Sequence, residues 1–594
     1  MYTLGVSCFF HDAAAALLND GEVVAAAEEE RFTRRKHDYN FPEKAIEFCL
    51  RSANITGSEI DSVVFFEKPF LKLERILTTA TATYPSSREV FQKAMTTWLK
   101  DKLWIKGLLA NYLKVDPKKI IFCEHHISHA ASSFFCSPYT DAAILTVDGV
   151  GEWATATIGE GHGTDIKLLG EIRFPHSVGL LYSAFTAFLG FEVNEGEYKV
   201  MGMAPFGRPE YKDKVAKLIR VGEDGSFRLD MKYFCFDRSS TDTYNEKFVE
   251  LMGAPRAPEL PFFTEGSGYP SYFGARPSDF KKQADINQHY ANVAASIQSV
   301  TEDVLLNMAR RLQERTGLKR ICLAGGVALN SVANSRIFRE AGFDEIFVQP
   351  AAGDGGGALG AALWAYHVVA GQPRKFQMKH AYWGEEHSNG SIVDYLTSQS
   401  IEHETIDTED ALCSKVVAAL EGGSVVGWMH GRFEWGPRAL GNRSILADPR
   451  RPEMKEIVNT KIKFREPFRP FAPSVLVDRA ADFFEARIAE QIPARFMSMV
   501  ADVLPEAKEK IPAVTHVDGT ARLQTVLPET NPLYSRLLCK FDEATGVPVL
   551  LNTSFNLRGE PIVNTPAEAL SSFARSGMDM LVLGNTIVRK EDMK

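Results

Sequence analysis

Cysteine is sparse in this chain and never clustered: Cys8, Cys49, Cys123, Cys136, Cys235, Cys322, Cys413 and Cys539 form no C-x-x-C pair. That spacing argues against a zinc ribbon and a disulfide framework, and it predicts a reducing, cytoplasmic setting. A basic excess is also missing. Lys+Arg number 67 against 76 Asp+Glu, a formal net charge of -9, so no nucleic-acid partner is expected and any phosphate site has to be concentrated. No apolar run reaches the roughly 18 to 20 residues that span a bilayer. The opening YTLGVSC has no basic segment ahead of a long apolar one, so neither a membrane partner nor a signal peptide is predicted. Low-complexity tracts and obvious internal repeats are absent too.

What is present is the composition of an ordinary globular protein, in a chain of 594 residues that exceeds the size at which one core keeps growing, so two or more domains are expected. Short apolar runs at 63–66, 120–123, 142–147, 321–324 and 345–348 alternate with helical patterns such as 292–312, an α/β rhythm. The first 32 residues read strand, polar turn, strand, Asp-Gly hairpin, strand, helix start, and DAAILTVDGVGEWATATIGEG repeats the plan. Such a duplication fits an actin-like ATPase architecture. The pattern weakens across 365–390, where a Gly-Gln-Pro breaker stands, which predicts a domain over 1–370, a linker over 371–390 and a second domain over 391–594. That second domain resumes with a helix at 409–421 and a strand in SVVGWMHG, and the Pro-interrupted stretch 499–522 reads as a lobe or flexible loop.

Several constellations carry chemistry. In FCEHHISHAASSFF, His125 and His129 stand four apart and share one face of a helix, as two ligands of one metal ion would, although an isolated H-x-x-x-H is more often two structural histidines. Asp148 ends a buried strand in VDGVGE, and Asp354 opens a helix in AAGDGGGALGAAL. Two imidazoles and two carboxylates suit Fe(II), Mn(II) or Zn(II) better than a bare Mg(II) site. In CLAGGVALN, Gly325 and Gly326 would let backbone cover a nucleotide and Asn330 could bond to it; the bland alternative is a helix packed on a strand through glycine. The second half places Arg432, Arg438, Arg443, Lys463, Arg465 and Arg469 among glycines, prolines and aromatics. Guanidinium forks match phosphate oxygens, so this reads as an anion pocket rather than a solvated loop. His516, Arg522, Asn552, Ser554 and Asn556 lie in later turns that could complete it.

Taken in order, FFHDAAAALL, EEERFTRRKHDYNFP, EHHISHAASSFF, VDGVGE, NEGEYKVMGMAP, CLAGGVALN, GDGGGALGAAL, GRFEWGPRALGNRSILADPR, FREPFRPFAPSV and NTSFN make the chain resemble the NodU/CmcH/TobZ family of O-carbamoyltransferases nearly end to end. The resemblance implies an actin-like (duplicated ribonuclease-H-like) N-terminal domain and a YrdC-like twisted α/β C-terminal domain. It implies that the second makes carbamoyl-adenylate from carbamoyl phosphate and ATP with Mg, and that the first passes the carbamoyl group to a hydroxylated small molecule. Carried over motif by motif, His125, His129, Asp148 and Asp354 are the implied ligands of Fe(II) or another divalent metal. Arg438, Lys463, Arg469, Arg522 and Ser554 are the implied grip on carbamoyl phosphate and adenylate. His11 is the implied general base, with Lys36 near the transfer centre. A labile adenylate requires water to be excluded from its path. The alternatives are a tRNA- or protein-modifying carbamoyltransferase, a sugar-kinase-like ATPase and a non-catalytic nucleotide-binding module; acceptor identity and a homodimer are left open by the sequence.

Overall fold

The computed structural model describes residues 1–100, 102–258 and 260–593. It opens as the pattern predicts: strands Tyr2–Ser7, Ala14–Asn19 and Glu22–Glu28 pair antiparallel, the last two across the Asp20–Gly21 turn. Ser62–Phe65 and Ile120–Phe122 then add in parallel on the other side of the first strand. The second sheet repeats this plan. Asp141–Val147 pairs antiparallel with Ala154–His162, which pairs with Asp165–Arg173, while Arg320–Ala324 and Glu345–Val348 extend it in parallel. Both sheets therefore run third, second, first, fourth, fifth strand. That is the ribonuclease-H-like order twice over, the actin-like arrangement. The parallel strands Ser62–Phe65, Arg320–Ala324 and Glu345–Val348 are buried along nearly their whole length, which is why they read as unbroken apolar runs.

Two helices of this region bear on function. His125–Phe134 follows Ile120–Phe122, and Asp354–Trp364 follows Glu345–Val348. They cross closely because Gly360 has no side chain: a Cβ there would stand 1.8 Å from the Ser128 carbonyl oxygen. The helix expected at 292–312 is longer, Phe280–Thr316, since no breaker interrupts the pattern at either end.

By contacts the chain divides into two compact units. The first comprises residues 1–29, 37–266 and 281–378; the second comprises 30–36, 267–280 and 379–594. Two short stretches of the N-terminal half thus belong to the second unit. Arg34 anchors one of them through its Nη1 on the Ile562 carbonyl (2.7 Å) and Nη2 on the Pro561 carbonyl (2.9 Å), and Ser271 N anchors the other on Glu456 (3.1 Å). In the first unit Arg374 is pinned on the carbonyls of Phe134, Ser137 and Tyr139.

The second unit carries a mixed sheet of eight strands in the order Glu404–Thr405, Thr586–Arg589, Met580–Leu583, Val426–Met429, Arg443–Ala447, Val549–Ser554, Ala472–Leu476, Gln524–Val526. Helices Glu409–Glu421 and Pro532–Thr545 lay Leu412, Val416, Leu537 and Phe541 against Trp428, Leu446 and Leu550 of that sheet. The stretch 499–522 is more regular than expected. Val500–Asp502 pairs antiparallel with Thr520–Arg522, strands of three residues that are too short for periodicity to reveal. No helix among the described residues is long and apolar enough to cross a membrane.

Candidate active site

In the first unit, three chain segments bring four donor atoms together. His125 Nε2 lies 2.9 Å from Asp148 Oδ2, 3.1 Å from His129 Nε2 and 3.7 Å from Asp354 Oδ1. His129 Nε2 lies 3.6 Å from Asp148 Oδ2 and 3.8 Å from Asp354 Oδ1. All four side chains are buried, and the Asp354 Oδ2 atom has no hydrogen-bond partner among the described residues. Donors bonded at about 2.1 Å to a common centre stand about 3 to 3.5 Å apart, so this set could hold a divalent transition metal.

The local sequence explains the convergence. The i, i+4 spacing stacks the two imidazoles on one helix face. Glu152 fixes the start of that helix by accepting from His125 N at 3.0 Å. Gly326 N donates to Asp148 Oδ1 at 3.0 Å, and Gly325 adopts φ +94° with its Cα so near strand 141–147 that a Cβ would meet the Val147 carbonyl oxygen at 2.2 Å. The Gly-Gly turn therefore orients Asp148. Asn330, expected to reach a nucleotide, caps the helix Ser331–Glu340 by accepting from Ala333 N at 3.1 Å, and its amide exchanges hydrogen bonds with Gln298.

Burial sets the charges. It pushes the His125 imidazole down to about 3, keeping it neutral and able to ligate. Burial and the neighbouring Asp148 carboxylate lift Asp354 to about 7. For Asp148 the hydrogen bonds from His125 and His129 overcome burial and hold it well below the usual carboxylate range.

His11 lies in the turn after the first strand. Its Nδ1 meets Asp12 Oδ2 at 2.9 Å, its Nε2 meets the Asn194 carbonyl at 3.2 Å, and Asp12 Oδ1 also binds His37 Nδ1 at 2.8 Å. Burial opposes charge on His11, but Asp12 outweighs it and raises the imidazole to about 10. Neither Asp12 nor His37 was singled out from sequence, although the FFHD motif contains the aspartate. Lys36 falls in the stretch 30–36 of the second unit and is not part of the four-donor cluster.

In the second unit the cationic residues separate into two groups. Arg443 is fully buried and donates to the carbonyls of His430, Gly431, Asn442, Asn564 and Glu385, while Arg432 donates to those of Gly384 and Trp383. These two are structural; the expectation that all six basic residues of the motif face a ligand is corrected, because buried main-chain carbonyls need donors. Glu434, unforeseen, accepts from the backbone of Leu440, Asn442 and Arg443 and so shapes the same loop.

The other group does assemble. Lys463 Nζ is held by the carbonyls of Ser554 and Asn556 and by Asn556 Oδ1, so Lys463 and Ser554 meet as expected. Burial, then Arg465 and Arg469, pushes Lys463 well below the usual lysine range. Arg522 is lowered by burial, then by Arg438, Arg465 and Arg469, and its Nε has no hydrogen-bond partner among the described residues. Arg465 stacks 4.4 Å over Phe471, and Glu466 approaches Arg469 at 3.6 Å. Crowding half-buried arginines around the buried Lys463 is unfavourable, and an entering anion offsets it.

One cluster gathers imidazoles and carboxylates that could hold a metal ion and the other gathers cations that could hold an anion, the kind of side-chain sets an enzyme site offers. Residues 2–363 match the carbamoyltransferase N-terminus family and residues 417–590 match the carbamoyltransferase C-terminus family. The chain belongs to the carbamoyltransferases. It is 46% identical over 624 residues to an uncharacterized protein of Synechocystis sp., covering 99% of this chain and 97% of that protein. Similarity to the nodulation protein NolNO of Sinorhizobium fredii is 37% over 588 residues, 98% of this chain and 79% of that protein. The 3'-hydroxymethylcephem-O-carbamoyltransferase of Amycolatopsis lactamdurans is 32% identical over 329 residues, 54% of this chain and 58% of that enzyme.

Proposed function

We propose that this carbamoyltransferase is ATP-dependent and acts on a hydroxyl group: the second unit makes carbamoyl-adenylate from carbamoyl phosphate and ATP, and the first transfers the carbamoyl group to a small-molecule alcohol. The observation that supports the reading is the presence of two chemically distinct sets, the crowded cations around buried Lys463 and half-buried Arg522 and the four donors around Asp148. The relative named as an O-carbamoyltransferase supports the choice of oxygen as acceptor atom.

In the second unit, Arg438, Arg469 and Arg522 supply preorganised positive charge for the phosphates of both substrates, and Lys463, fixed by Ser554 and Asn556, is held in place before reaction. Hydrolysis of carbamoyl phosphate releases inorganic phosphate and leaves carbamate, whose oxygen attacks the α-phosphate of ATP and expels pyrophosphate, and the charge that develops on the oxygens meets cations that need not move. In the first unit His125, His129, Asp148 and Asp354 would hold a divalent cation such as Fe(II), which supplies Lewis acidity toward the carbonyl or phosphate of the adenylate. Asp12 orients His11, so that Nε2, once an acceptor alcohol replaces the Asn194 carbonyl, can take the hydroxyl proton. The alcohol oxygen bonds to the carbamoyl carbon, the carbon–oxygen bond to the phosphate breaks, and AMP departs.

The test has two arms. Carbamoyl-phosphate-dependent exchange of labelled pyrophosphate into ATP reads adenylate formation; mass spectrometry of hydroxylated metabolites incubated with enzyme, carbamoyl phosphate and ATP reads transfer. Exchange together with carbamate ester products is expected. Product formation without ATP would overturn the adenylate route.

A further inference from the structure

The helix Pro69–Ala82 of the first unit is inside out. Among its buried residues are Lys72 and Arg75, while Phe70 is 73% exposed and Leu71 and Leu77 are 38% and 37% exposed. A helix packed on a core for its own stability buries the leucines and exposes the cations. Positions 72 and 75 lie on one face, one turn apart.

The surroundings of the two cations differ. Lys72 Nζ meets Glu67 Oε2 at 2.5 Å and stands 4.0 Å from the centre of the Phe10 ring, next to His11 in the chain. Arg75 lies over Phe174 at 4.9 Å, and its Nη1 is buried with no hydrogen-bond partner among the described residues. The two acids whose fields reach it are engaged elsewhere. Glu67 is taken by Lys72, and Glu152 accepts from the backbone of Lys68 and His125. A buried guanidinium without an acceptor is costly, and a bound oxyanion supplies the missing one.

The place is telling. Glu152, which reaches Arg75, also fixes the first histidine of the four-donor set, and the field of Lys72 extends to Asp354. Phe10, stacked on Lys72, is 43% exposed, so this corner opens to solvent beside the residue proposed to take the hydroxyl proton. We infer that Lys72 and Arg75 form an oxyanion receptor for the acceptor, so that the alcohol carbamoylated by this enzyme carries a carboxylate or a phosphate group. The inference rests on the transfer reading above and adds the chemical class of acceptor to it.

Matched probes test it: glucose against glucuronate and against glucose 6-phosphate, with carbamoylated product measured as kcat/KM. The wild type should favour an anionic member by about 10- to 100-fold, the worth of one charge-assisted hydrogen bond, and the two anions separate carboxylate from phosphate. Arg75→Met should erase the preference, and Arg75→Lys, which keeps charge but not the fork, should restore part of it. Equal rates on neutral and anionic members in the wild type would overturn the inference while leaving carbamoyl transfer intact. So would an equal fall on all three in Arg75→Met, which would assign the arginine to the adenylate phosphate instead. Pyrophosphate exchange by the wild type reports on adenylate formation separately. Crystals grown in ammonium sulfate decide without turnover: sulfate on Arg75 Nη1 is expected, and a protein carbonyl or water alone in that place would sink the proposal whatever the acceptor assay gives.

Discussion

The two clusters solve opposite electrostatic problems. In the first unit, two imidazoles and two carboxylates are buried together; hydrogen bonding from the imidazoles keeps Asp148 charged, and burial keeps His125 neutral. In the second, cations crowd one another, and burial and mutual repulsion depress Lys463 and Arg522. The first leaves Asp354 Oδ2 without a hydrogen-bond partner among the described residues, and its donors could surround a small positive ion. The second concentrates positive charge and suits an anion. The same physics, burial of charge, thus selects ligands of opposite sign at the two places.

Breaking either cluster should break one half-reaction. The largest effect is expected for Asp148→Asn or His129→Ala, which remove a donor of the four-donor set: transfer should fall by about a thousandfold or more, with pyrophosphate exchange retained. Next comes Arg469→Ala, which should lower pyrophosphate exchange by about a hundred- to a thousandfold, the usual cost of removing one preorganised electrostatic contact. Equal loss of both half-reactions in each variant would refute the division of labour.

His11 sharpens the comparison through pH. Its imidazole is held near 10, so below that pH the unprotonated fraction grows with every unit. A base of this kind makes single-turnover transfer rise about tenfold per unit between pH 7 and 9. His11→Gln should lose the slope as well as rate; a flat wild-type profile would remove His11 from the proton step. The smallest effect concerns Asn330. As a helix cap, its replacement by alanine should cost about 1 kcal/mol in urea unfolding and leave the affinity for ATP unchanged.

Much of this was legible in the chain. The strand plan of the first sheet and its repetition are written in alternating apolar runs and the Asp-Gly turn, and the four donors are visible because Asp148 follows a strand, His125 and Asp354 start helices, and His129 stands one turn beyond His125. The helix at 409–421 was likewise readable from its spacing. Short strands were not: three-residue segments such as Val500–Asp502 carry too little pattern and exist because a partner strand completes them. Nor could the motif separate Arg443 from Arg469, since both are arginines in one basic stretch of sequence and only the position of buried carbonyls assigns the first to structure.

By itself the sequence determined which elements form and which residue types are available for chemistry, because periodicity, turn residues and spacing act over a few positions along the chain. The tertiary structure alone decided what those residues face. It made Gly326 a support for Asp148, turned Asn330 into a cap, and buried Arg75 with no acceptor on Nη1, because hydrogen-bond partners and burial come from segments far apart in the chain.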